Sequence, residues 1–67
     1  MQIIYNGQPR ELAAATKTIA DLVGELGLRP QLVAVEVNGE LAPRAQHSTV
    51  ALSEGDRVEI VTLVGGG

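Results

Sequence analysis

Cysteine, tryptophan and phenylalanine are missing from the 67 residues of this chain, and histidine and tyrosine occur once each. Without cysteine there is no disulfide, no zinc knuckle, no iron–sulfur cluster and no thiol nucleophile. The single histidine, His47, cannot build a zinc site alone, so no metal site is expected. With Tyr5 as the one aromatic, base stacking has almost nothing to use and the core must be aliphatic. Basic residues are also scarce: five of them (Arg10, Lys17, Arg29, Arg44, Arg57) face eight acidic ones, for a net charge of −3. No basic stripe exists for a phosphate backbone, so no nucleic-acid partner is expected. A mildly acidic domain suits a protein partner with a basic cleft. No apolar run approaches the roughly 18 residues of a membrane span, and no charged segment leads into an apolar one at the start. The expectation is a cytoplasmic protein without membrane contact. A chain this short buries only about 60% of its unfolded surface, and it lacks the usual staples.

What is present organises the chain clearly. Met1 to Tyr5 is a short β-branched run that ends at Asn6-Gly7, the strongest hairpin signal a sequence offers. The return strand runs from Pro9 through Ala13, with Pro9 at its start or on an open edge. Thr18 is an N-cap residue type, with Asp21 three positions on, where its charge favours the positive helix end. Ile19, Leu22, Val23 and Leu26 follow at helical spacing, and Gly27 fits a left-handed C-cap. Gly24 inside that helix costs about 1 kcal/mol relative to alanine and has only close packing or tolerance as a reason. Val33 to Val37 alternates as a strand, turns at Asn38-Gly39, and continues through Glu40-Leu41-Ala42 until Pro43 stops it. Arg44 to Leu52 reads as a loop with room for one helical turn. Ser53 to Asp56 is a turn, and Arg57 to Val64 is the last strand. The fold class is α+β: a sheet of four or five strands with one helix across it. Its core combines the helix stripe with Ile3, Tyr5, Leu12, Val35, Val37, Val58 and Ile60.

After Val64 come Gly65, Gly66 and Gly67. The expected division is a single domain over 1–64 and a flexible glycine tail over 65–67. Glycine lacks a Cβ and threads narrow channels, and three extended residues reach about 10 Å. A carboxylate on such a stalk is ionised at neutral pH and inert to nucleophiles until it is activated. The usual activation is adenylation by ATP, yet the chain has no phosphate-binding loop, no Walker lysine and no acidic metal cluster. A separate protein must activate it. Nothing else resembles an enzyme. His47 has no positioned nucleophile and reads as a loop histidine. Glu54 and Asp56 read as solvated turn acids, and Arg44 as an exposed loop cation.

At this point the chain resembles a known family. The strand order, Val33-Ala-Val-Glu-Val-Asn-Gly-Glu40, Pro43-Arg44, the Glu54-Gly-Asp56 turn, Val58 to Val61 and the glycine end look like ThiS-type sulfur carriers of thiamine (thiazole) biosynthesis. That family has the ubiquitin-like β-grasp fold. The resemblance implies a protein co-substrate rather than an enzyme. A ThiF-like, E1-type adenylating enzyme consumes ATP to activate Gly67. Sulfur from a cysteine desulfurase replaces AMP, leaving a covalent 1-thioglycine at Gly67. A ThiG-like thiazole synthase then takes the sulfur. No cofactor is bound stably. Gly66 is the slim neighbour that the chemistry requires, and Gly65 matches a more variable position of the family. The same tail also serves carriers for molybdopterin synthesis or tRNA thiolation, ubiquitin-like protein modifiers, and plain interaction modules with an idle tail.

Alternation in the last strand completes the expectation. If Val58 and Ile60 face the helix, then Glu59, Val61 and Leu63 face outward, as does Ile4 on the first strand. Apolar Ile4, Val61 and Leu63 beside the tail suit partner docking. Glu36, Glu59 and Asp56 form an acidic rim that steers basic partners.

Overall fold

Both Asn-Gly pairs are left-handed turns. In the computed structural model, which describes residues 1–63, Asn6 and Gly7 have φ of 48° and 83°, and Asn38 and Gly39 have 53° and 86°. Positive φ at both central positions is type I′ geometry, whose twist matches the flanking strands. The first turn joins β1 (Gln2–Tyr5) to β2 (Gln8–Glu11), and the second joins β3 (Val33–Val37) to β4 (Glu40–Ala42). A fifth strand, β5 (Arg57–Thr62), enters between the two hairpins. The sheet order is β2-β1-β5-β3-β4, with β5 parallel to β1 and antiparallel to β3.

The helix α1 (Ile19–Glu25) starts where Thr18 caps it. The Asp21 N–H donates to Thr18 Oγ1 at 3.2 Å, and the Thr18 N–H donates back to Asp21 Oδ2 at 3.1 Å, closing a capping box. The Lys17 and Thr18 backbone donors hold the Asp21 carboxyl below its ordinary value of 3.8. At the other end Gly27 takes φ 72°, and the Gly27 and Leu28 N–H groups bond the carbonyls of Gly24 and Val23. This double closure is a Schellman cap. A Cβ built on Gly24 meets only open space, so close packing is not its reason.

Ile19, Leu22 and Val23 meet Ile3, Val35 and Val58 in a fully buried aliphatic core. Each such side chain contributes roughly 1.5–3 kcal/mol on burial. Tyr5 and Val37 pack against this core but stay half-buried, each at the end of its strand before an Asn-Gly turn. Three boundaries differ from the pattern in the sequence. Strand β2 begins at Gln8 and stops at Glu11, and the Leu12 N–H donates to the Met1 carbonyl at 2.8 Å. Strand β5 ends at Thr62, and Leu63 follows in extended contact with Leu32. A single 3₁₀ turn, Pro30–Leu32, precedes β3 without any periodic signal. The segment after β4 does hold one helical turn, Arg44–Gln46. The assignments that fall on Val64 and on Gly65 to Gly67 lie outside the described residues. Among those described, no helix is long and apolar enough to cross a membrane.

Candidate functional site

The glycines follow β5 in the sequence, so the contacts that hold β5 define the described part of the candidate site. On one side β5 pairs with β3 along its whole length, from Val37 opposite Val58 to Val33 opposite Thr62. The Leu63 N–H then donates to the Leu32 carbonyl at 2.7 Å. On the other side β1 runs out early: its last registered pair is Tyr5 with Val58. The next inward-facing peptide groups belong to Ile60, and the Asn6 side chain meets them. The Ile60 N–H donates to Asn6 Oδ1 at 2.8 Å, and Asn6 Nδ2 donates to the Ile60 carbonyl at 3.1 Å. A side-chain amide replaces the missing backbone of β1. Asn38 does similar work at the other end of β5. It accepts from the Arg57 N–H at 3.0 Å and donates to Asp56 Oδ1 at 3.1 Å.

Val58 is fully buried and Ile60 is nearly so, and the register therefore puts Arg57, Glu59 and Val61 on the outer face. Ile4, Ala34, Glu36 and Leu41 join them there. Val61 is 58% exposed and Leu63 50%, whereas Ile4 is only half-buried. Two further leucines lie bare that sequence reading did not single out: Leu41 at 65% and Leu32 at 45%. Leu41 sits in a three-residue strand too short to show alternation, and Leu32 sits in the unsignalled 3₁₀ turn. Glu36 and Glu59 are direct cross-strand partners. Like charges so placed cost stability, and no ion pair relieves them among the described residues.

Asp56 is not part of this rim. Its carboxylate accepts from the Ser53 N–H at 2.8 Å and from Asn38, closing the turn into β5. Glu54 is likewise engaged, accepting from the Gln2 N–H at 3.0 Å. Turn acids at the entry to a strand find backbone donors nearby. His47 is buried: Nε2 lies 3.0 Å from the Ala42 carbonyl, which only accepts, so Nε2 carries the hydrogen. The ring latches the loop to β4 and meets no nucleophile. Glu25 accepts from the Thr16 hydroxyl at 2.6 Å and from the Ala13 N–H, with Arg10 at 3.8 Å. The Thr16 hydroxyl, then the Ala13 N–H, hold its carboxyl below the ordinary 4.5. A cavity of about 280 Å³, lined by residues that include Val37, Leu41, Gln46 and Val50, opens near the entry end of β5, away from Leu63. No group of three metal-ligating side chains occurs among the described residues.

Known proteins share this arrangement. The crystal structure of the thiamine biosynthesis protein ThiS from Geobacter metallireducens superposes with a TM-score of 0.84 at 30% identity, over 100% of both chains. That match carries the β-grasp fold: one helix against a five-stranded mixed sheet. The sulfur carrier protein ThiS of Escherichia coli is 30% identical over the full length of both chains. A thiazole synthase of Paramagnetospirillum magneticum is 42% identical over all of this chain, which spans only 20% of that protein. The sequence profile of the ThiS family matches residues 3–67. This chain therefore belongs to the ThiS family of sulfur carriers.

Proposed function

We propose that the chain carries sulfur as a thiocarboxylate on Gly67 for thiazole formation in thiamine biosynthesis. The observation that carries this reading is the full-length alignment with the sulfur carrier protein ThiS of Escherichia coli, which takes in this chain's glycine end. The Gly67 carboxylate attacks the α-phosphate of ATP on a ThiF-like, E1-type enzyme, and pyrophosphate leaves. The terminal sulfur of a cysteine desulfurase persulfide attacks the acyl adenylate and displaces AMP, and a thiol then cleaves the S–S bond, leaving 1-thioglycine and a disulfide. A thiazole synthase consumes that sulfur. The P. magneticum relative supports this last partner, since a protein of that name contains a segment similar to the whole of this chain. Joining carrier and acceptor in one chain raises their effective concentration. The chain itself supplies no cofactor site, acts as co-substrate and works in the cytoplasm with these enzymes.

Docking uses the outer face. Val61 and Leu63 offer exposed apolar surface beside the tail, with Ile4 behind them. Glu36 and Glu59 are kept side by side at a cost to stability, which a cationic partner surface relieves. Gly65 and Gly66 let the terminus enter a narrow active site.

The test is an incubation with the adenylating enzyme of the same organism, ATP and a sulfur donor. Intact mass shows one oxygen replaced by sulfur, and deletion of Gly67 abolishes the change. Absence of any exchange in the wild-type chain overturns the reading. Val61→Asp weakens enzyme binding and leaves the fold intact, because the side chain is 58% exposed.

A further inference from the structure

We infer that Asn6 is a positioning residue for the tail: its side-chain amide sets the direction in which β5 leaves the sheet. The inference rests on the reading that the tail is the reacting end. Beyond Tyr5 the backbone makes one more bond to β5, from the Asn6 N–H to the Val58 carbonyl at 2.9 Å, before it turns away, and the Ile60 N–H and carbonyl face the gap it leaves. Asn6 fills that gap with one donor and one acceptor at 3.1 and 2.8 Å. No other residue type does this while holding φ at 48°. Glycine tolerates the turn but has no amide. Aspartate tolerates it but presents two acceptors, one of them against the Ile60 carbonyl.

The position matters more than the bond count. Ile60 is the last residue of β5 tied on the β1 side, and Leu63 is tied only on the β3 side. Without the Asn6 amide the last tie on the β1 side falls back to Val58, and Ile60 to Leu63 are hydrogen-bonded to the β3 side alone and can swing about that edge. In the sequence the glycines follow this segment after Val64. A reaction that needs the terminal carboxylate in line with a phosphorus atom is sensitive to such swings, since misplacement by about 1 Å can cost about a hundredfold in rate. Asn38 provides a matched control within the same molecule. It has the same residue type, the same turn and the same strand as its target, but it grips Arg57 at the entry of β5.

The experiment compares the full chain with Asn6→Gly, Asn38→Gly and the double variant Asn6→Gly/Gly24→Ala, below the unfolding range of all four. Adenylate formation by the E1-type enzyme is followed together with amide exchange at Val61 and Leu63. Asn6→Gly lowers kcat about tenfold, as expected for a displaced reacting group, with KM little changed. It also speeds exchange at Val61 and Leu63. Asn38→Gly does neither. If Gly24→Ala, which stabilises α1 without touching β5, restores the rate, Asn6 acts only through overall stability and the inference falls. It falls equally if Asn38→Gly is as slow as Asn6→Gly, or if exchange at Val61 and Leu63 is unchanged. A wild-type chain that is never adenylated removes the sulfur-carrier reading instead, and the exchange data still decide on the clamp.

Discussion

The two hairpins begin alike and finish differently. Each has an Asn-Gly type I′ turn, and each turn asparagine reaches across to β5. The first grips peptide groups that are partly buried and have lost their strand partner. The second grips an exposed N–H and shares its amide with the exposed Asp56 carboxylate. Their outer strands differ too. Arg10 of β2 leans on Glu25 through charge, while the Ala42 carbonyl of β4 accepts from the His47 ring Nε2. A turn signal fixes where a chain reverses, and the surroundings decide what the turn residue then does.

Glycine in place of Asn6 keeps the turn and removes both bonds to Ile60. At about 1 kcal/mol per lost bond, the cost is about 2 kcal/mol, read from the urea midpoint. The same change at Asn38 costs less, about 1 kcal/mol, because water replaces the lost partners. Equal losses would erase the distinction between the hairpins.

Acid separates their anchors in a smaller and more local way. The Glu25 carboxyl titrates below its usual 4.5 in the folded chain. A depressed folded value means that its contribution is fully present above the unfolded value and fades as pH falls through the folded one. Acidification below the ordinary 4.5, through the depressed folded value, therefore loosens the Ala13 to Thr16 segment beside the first hairpin. Amide exchange there accelerates, and Glu25→Gln removes the pH dependence. Asp21 in the capping box follows the same sign, from its usual 3.8. The smallest change is Gly24→Ala. It points a methyl into open space and raises stability by about 0.5 kcal/mol, shifting both hairpins together and leaving the contrast between them intact.

Most of the fold was legible because its signals are local. Thr18, Asp21 and Gly27 marked the helix ends, two Asn-Gly pairs marked the hairpins, and alternation in Val33 to Val37 placed the inward valines. The resemblance supplied the β-grasp class. What stayed hidden is non-local. Nothing near Asn6 in sequence points to Ile60, 54 residues away. Asp56 looks like a solvated turn acid until Asn38 arrives from another hairpin. Leu41 and Leu32 escape notice because strand or turn segments of three residues carry no period. The outer-face placement of Val61 followed from simple alternation, since β5 is long enough to show it.

The central place of β5 also has a consequence for how the protein is made. The strand that completes the sheet, between β1 and β3, is the last of the five to leave the ribosome. Until it emerges, the two hairpins have no common neighbour and the helix has half a floor. Such long-range closure delays folding. A product cut short before β5 lacks the keystone of the sheet. Synthesis and folding are thus coupled: a chain that stops before β5 cannot close its sheet and stays open to proteolysis.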